Sequence, residues 1–251
     1  MRLNKILKLV FVLFFAQFIS QDVIGQTDRI KIAFVCQTDS AFALLKSEEH
    51  KSLARYRSEY HFTDSKVFNI DIRESWIGCF RKNLDSTIYE IQNVAMPSEI
   101  RDNYFLATYK YTDGFWHASP KLIEWFRLLH KKGQYDLVII LNKPTLDFRY
   151  SEVSELNNYP SYGLIQDKNW IYSLNSLHVY DCFGGKIITQ TKLKGYNDYI
   201  RILKGADLSK KSYVEISPSD IKIAIDEIIK INNDMGNTVL KKIIAFSKKK
   251  L

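Results

Sequence analysis

Ser40 is the residue of this chain best placed to act as a nucleophile. It closes Thr38-Asp39-Ser40, directly after Ile30–Cys36, an apolar run that reads as a buried strand. It stands directly before Ala41–Tyr56, where Phe42, Leu45, Leu53 and Tyr56 make the loose apolar stripe of a helix. A hydroxyl at such a turn attacks a carbonyl only when a base takes its proton. The last histidine is His178, inside a segment that reads as a strand, and nothing after it can supply that base. Capping of the expected helix accounts for Asp39 and Ser40 without any catalysis.

Thr38-Asp39-Ser40 resembles the Gly-Asp-Ser block of SGNH-type esterases. The likeness covers two residues and their position. Thr38 stands where that family has glycine, and the family's C-terminal Asp-x-x-His is missing. The resemblance implies, as a second reading, an exported esterase-like hydrolase whose site is assembled from dispersed residues.

Other chemistries find less support. His50, His61, His117, His130 and His178 show no HxH or HExxH spacing, so no metal site is expected, and nothing calls for a cofactor. Cys36, Cys79 and Cys182 form no CxxC, and three cysteines allow at most one internal pair. Gly184-Gly185-Lys186 lacks the spacing of a phosphate loop and precedes a strand, so a hairpin turn is expected there.

Binding has a clearer candidate. The stretch from Asn142 to Trp170 leaves regular patterning, is long for a connection, and follows the carboxyl end of the most apolar run, where open α/β sheets place their ligand crevices. It carries Phe148, Arg149, Tyr150, Tyr159, Tyr162 and Trp170, residue types that supply large contact area at recognition surfaces. The competing reading is that these rings hold a long loop onto the body of the protein.

Several elements must position these residues. Asp136–Leu141 is too continuously apolar for a half-exposed strand and is expected beside Ile30–Cys36, in parallel, at the centre of a sheet. Val67–Ile72 and Thr87–Val94 alternate as strands, with an ambiguous segment over Trp76–Leu84. A helix is expected from Ser119 as N-cap, with Pro120 at N1 and Gly133 past its end. Trp170–Asp181 and Lys186–Lys194 read as two strands joined by a Gly-Gly turn. Ser217-Pro218-Ser219-Asp220 opens a last helix, either kinked or doubled at Gly236. The expected fold is α/β: a single domain over residues 26–251, a mixed sheet with a parallel centre and an antiparallel hairpin, flanking helices, and a basic tail at Lys248–Lys250.

The N-terminus supplies an address. Arg2, Lys5 and Lys8 precede an apolar block from Leu9 to Ile19, then polar residues and a small exit at Val23-Ile24-Gly25. That order is a signal peptide over residues 1–25, with cleavage expected before Gln26. The block is shorter than the roughly 20 apolar residues of a spanning helix, and no cysteine follows it for lipid attachment. No stable membrane span is expected after cleavage. No Asn-x-Ser/Thr site occurs, which favours a bacterial periplasm or cell envelope over a eukaryotic secretory route. The formal charge of +8 is spread along the chain and concentrates only at Lys248–Lys250, so no nucleic-acid partner is expected.

The Asp-started run Asp136–Leu141, followed by a strand ending at Asp181 and a turn with Gly185-Lys186, resembles exported bacterial α/β envelope proteins. The N-terminal domain of the Tol translocation protein and the curli-secretion lipoprotein family share that order of elements. The resemblance implies a non-enzymatic envelope protein that binds an envelope protein or a small ligand.

Overall fold

The computed structural model describes residues 29–52, 57–102, 108–110, 116–144, 153–191 and 199–248. The leader, the recognition candidates Phe148, Arg149 and Tyr150, and the far end of the basic tail lie outside the described residues. In chain order the first elements are β1 (Ile30–Cys36), β2 (Phe42–Ser52), β3 (Arg57–Phe68), α1 (Arg73–Asn83) and β4 (Tyr89–Asn93). Next come α2 (Ser98–Arg101), β5 (Thr108–Lys110), β6 (Trp116–Ala118), α3 (Pro120–Gly133) and β7 (Leu137–Asn142). They are followed by β8 (Tyr162–Ile165), β9 (Trp170–Ser173), β10 (Ser176–Asp181), β11 (Ile187–Gln190), β12 (Ile200–Ile202) and α4 (Pro218–Ser247).

The first sheet runs β11-β10-β7-β1-β4. β1 and β7 lie side by side in parallel, Ile32 opposite Leu137 and Cys36 opposite Leu141, as their apolar runs predict. β4 adds a second parallel neighbour to β1, and β10 with β11 forms the antiparallel hairpin on the other flank. The continuous apolar pattern has a direct cause, because both faces are covered. Ile32, Phe34, Ile139 and Leu141 pack under α1 and the far half of α4, while Ala33, Val35, Val138 and Ile140 pack under α3. Gly185 turns the hairpin with φ 67°, so Gly184-Gly185-Lys186 is a turn and not a phosphate loop.

A second sheet, β12-β9-β8-β2-β3, corrects three expectations. Of the expected helix over Ala41–Tyr56, Phe42–Ser52 form strand β2, and residues 53–56 lie outside the described residues. Phe42 and Leu44 face one core, Ala43 and Leu45 the other, and a run buried on both faces carries no period that separates strand from helix. The supposedly irregular stretch before Trp170 contains β8, parallel to β2. The single strand expected over Trp170–Asp181 is two, β9 in the second sheet and β10 in the first, separated by Leu174-Asn175. Of Val67–Ile72 only Val67 and Phe68 are strand, and the ambiguous Trp76–Leu84 segment is largely α1.

The helices begin where the capping signals stand. Ser119 Oγ accepts from Leu122 N at 3.4 Å with Pro120 at the first turn, but the left-handed residue after α3 is Gln134 (φ 56°), not Gly133. Ser217 and Asp220 form a reciprocal capping box on α4. That helix runs 30 residues without a break, so neither a second helix nor an interruption occurs at Gly236. A Cβ at Gly236 would stand 3.0 Å from Cys79 Sγ, which explains a glycine where α1 closes on α4. Ile221, Ala224 and Ile228 pack on the second sheet, Val239, Leu240 and Ile243 on the first. None of the described helices is long and apolar enough to cross a membrane.

Candidate functional site

The two sheets meet end to end, and the chain passes between them five times, three of these passages forming the seam described here. It leaves β1 through Gln37-Thr38-Asp39-Ser40-Ala41 to enter β2, leaves β7 through Lys143 on its way to β8, and leaves β9 through Leu174-Asn175 to enter β10. Each crossing puts polar side chains where apolar strands end. The carboxyl ends of β1 and β7 face this seam.

Hydrogen bonds tie the crossings together. Asp39 Oδ2 accepts from Ser161 N at 3.1 Å and from Ser161 Oγ at 3.2 Å, and Leu174 N donates to the Ser161 carbonyl at 2.7 Å. Lys143 Nζ donates to the carbonyls of Asn157, at 2.9 Å, and Tyr159. Burial lowers the Lys143 pKa, and the Asp39 charge opposes that shift. Tyr162, on β8, accepts from Trp76 Nε1 at 3.1 Å and shares a hydrogen bond with Thr38 Oγ1. Asn175 Nδ2 donates to Ser173 Oγ, which donates to Asn232 Oδ1 of α4 at 2.9 Å.

Buried polar atoms in folded proteins are nearly always hydrogen-bonded, so exceptions mark places that need a reason. Four such side-chain atoms have no partner among the described residues: Asn142 Oδ1, Tyr172 Oη, Asn175 Oδ1 and Asn232 Nδ2. All four belong to the seam. Asn142 ends β7, Asn175 is in a crossing, Asn232 bonds Ser173, and the Tyr172 hydroxyl is in electrostatic range of Tyr159 and Asp39. Tyr172 is wholly buried, which pushes its pKa well up and keeps the hydroxyl protonated.

Tyr172 reaches the seam because of a glycine. It stands opposite Gly163 of β8, and its ring lies across that residue. A Cβ at 163 would overlap both the Tyr172 ring and the Ala43 carbonyl oxygen of β2.

The residues expected to carry recognition are divided by the fold. Tyr162 has no exposed surface and is a core residue, a correction caused by the unforeseen strand β8. Tyr159 and Trp170 are half-buried and packed edge-on against Phe62 and Tyr60, with ring centres 5.4 and 5.2 Å apart. Ser40 is half-buried in the first crossing; a strand follows it, so its expected capping role falls away. Three of the described histidines bond elsewhere: His61 with Glu155, His130 with the Tyr135 carbonyl, His178 with Ser176 and Tyr180. Burial raises the Cys36 pKa despite nearby Arg73, so its thiol is not activated. No three His, Cys, Asp or Glu among the described residues converge as metal ligands.

Lys143, Tyr172, Asn175 and Asn232 were not singled out from the sequence. The available signal was small: a lone lysine directly after the most buried strand, and an asparagine inside an alternating run.

Ser176 and His178 come closest to a nucleophile–base pair, with Ser176 Oγ 3.0 Å from His178 Nε2. They are 5% and 3% exposed, so a substrate cannot reach them. Their effect is on stability. Burial pushes the His178 pKa down to about 4, while an unfolded histidine titrates near 6.5. The unfolded chain therefore binds the proton first, and stability falls as pH drops from about 6.5 toward 4. The expected loss between about pH 7 and pH 5 is about 2 kcal/mol. Asp220, held down to about 2 chiefly by Lys211 and Ser217, loses its contribution only below that window. Urea unfolding at the two pH values checks this, and a His178→Gln chain with the same acid slope would contradict it.

Protein-family models, curated proteins and solved structures yield no match to this chain, so the seam must be interpreted from its own chemistry.

Proposed function

We propose that this chain is a non-enzymatic binding protein of the bacterial cell envelope, exported by its leader, that holds a small ligand at the seam between its two sheets. One observation carries the reading: half-buried Lys143, just past β7, and exposed Asp39, just past β1, come into electrostatic range of each other at the carboxyl ends of the two central parallel strands, with the partnerless Tyr172 hydroxyl also in range of Asp39. Ligand sites in open α/β sheets form there, with a few convergent polar groups in otherwise apolar surroundings. The half-buried Lys143 and wholly buried Tyr172 favour a small ligand over an envelope protein. The order of Arg2, Lys5, Lys8, the Leu9–Ile19 block and Val23-Ile24-Gly25 supports export.

Mass spectrometry of the protein recovered from the envelope of an expressing bacterium tests both parts. The denatured chain is expected to begin at Gln26, and the native chain to carry a small molecule that Lys143→Met does not retain. A membrane-bound product keeping Met1–Gly25 would overturn export. A native mass equal to the bare chain would overturn the ligand reading, and ester hydrolysis lost in Ser40→Ala would replace it with the hydrolase.

A further inference from the structure

We propose that two copies of this chain associate through β3, edge to edge and antiparallel about Ser65, with Asp64 of each copy opposite Lys66 of the other. β3 stands at the end of the second sheet and is 12 residues long, against 5 for β4, 4 for β11 and 3 for β12 at the other ends of the two large sheets. An edge strand of that length presents a row of backbone N–H and C=O groups to any strand that lies beside it. Part of the row is closed, because Phe62 N donates to Glu155 Oε2 and His61 Nδ1 stands 2.5 Å from Glu155 Oε1. Beyond Phe62 comes a bulge, where the register with β2 passes from Ser47–Phe62 to Lys46–Asp64. The length left for a partner runs from there to Phe68.

The charges choose the occupant. Asp64 and Lys66 are both exposed, and alternate residues of a strand share a face, so acid and base stand on one side of the sheet. Lys66 Nζ lies 5.1 Å from the centre of the Phe68 ring, which holds the ammonium at this face. An antiparallel copy centred on Ser65 sets each acid opposite the other chain's base, twice over. Centring on Asp64 sets two acids opposite each other, and centring on Lys66 sets two bases, which is destabilising in both cases. Lys46 faces Asp64 from β2, so the charges alternate in sign across the joint. Val67, 56% exposed, lies in the same length and would be covered by Thr63 of the second copy.

A lysine and a bulge ordinarily keep strands away from a long edge. Here the bulge limits pairing to a short ladder, and the lysine is matched only by a strand carrying an acid at the same offset, which this chain's own β3 does. A foreign strand would leave Lys66 or Asp64 unmatched. The ladder is short, below the roughly 1,200 Å² of standard stable interfaces, so a dimer in exchange with monomer is expected.

Sedimentation velocity of the mature chain over a range of concentrations tests this. A monomer–dimer equilibrium is expected, weakening with added salt as exposed charges are screened. Asp64→Lys and Lys66→Asp, each alone, should weaken the dimer about thirtyfold, since two attractive pairs become repulsive. The two variants mixed in equal amounts should recover it, because every acid then faces a base again. Circular dichroism establishes that each variant is folded. Should Asp64→Lys not fold, set against Lys46 on the neighbouring strand, Asp64→Asn takes its place. Its mixture with Lys66→Asp should dimerise more tightly than either variant alone.

A chain that stays monomeric at every concentration would overturn the inference, whether the edge stays bare or takes a strand of another protein. A dimer that persists in both single variants, or that the mixture does not recover, would place the contact elsewhere and overturn it as well.

Discussion

An Ile139→Asp chain is expected not to fold. Ile139 has no exposed surface and sits on β7 between Phe34 of β1 and Val179 of β10. Its side chain enters the core made by Trp76, Ile77 and Phe80 of α1 and Val239, Leu240 and Ile243 of α4. A carboxylate there meets no donor in that apolar cluster. Burying an uncompensated polar group costs several kcal/mol, comparable with the about 5–15 kcal/mol that holds a whole domain together. Ile139→Val removes one methylene and should cost about 1 kcal/mol. Circular dichroism and soluble yield separate the two; an aspartate variant melting at the wild-type temperature would show that β7 is not central.

The second large effect is expected at Gly163. A valine there must displace the Tyr172 ring and, less tractably, the Ala43 carbonyl on the neighbouring strand. Side chains can turn aside, but the backbone of a paired strand cannot move without loosening the ladder between β2 and β8. Overpacking of this kind costs about 3 kcal/mol, a drop of about 10 °C for a protein of this size. Tyr172→Ala in the same chain should recover part of that loss by removing the ring, while the contact with the carbonyl persists. A Gly163→Val chain of unchanged melting temperature would mean that Tyr172 does not cross the strand.

What could be read from the sequence follows from how each element is buried. β1 and β7 announce themselves because five apolar residues in a row, Ile32–Cys36 and Leu137–Leu141, bounded by polar ones, suit a strand covered on both faces. The β10–β11 hairpin and both long helices were legible from turn and capping chemistry, which acts between neighbours in the chain. The second sheet was hidden by its brevity. β8 and β9 have four residues each, and β2 contributes only Phe42–Leu45 to the parallel pair before turning polar. The change of sheet at Asn175 leaves the alternation of Trp170–Asp181 almost undisturbed, because both strands are buried. The candidate site was legible only as a region. Lys143 stood inside the stretch marked for recognition and Asp39 was read as a cap, but their approach depends on strands far apart in the chain.

α4 gives this molecule an order of assembly. It supplies one wall to each of the two sheets and follows all the other described elements, so the face it covers on each sheet stays open until it arrives. A polypeptide emerging from the ribosome would carry both sheets with one apolar face of each still open. Nascent chains stalled before Pro218 should be cleaved readily by added protease, and chains released beyond Ser247 should resist it. Protection would then arise in one step as α4 emerges, as completion of both halves at once.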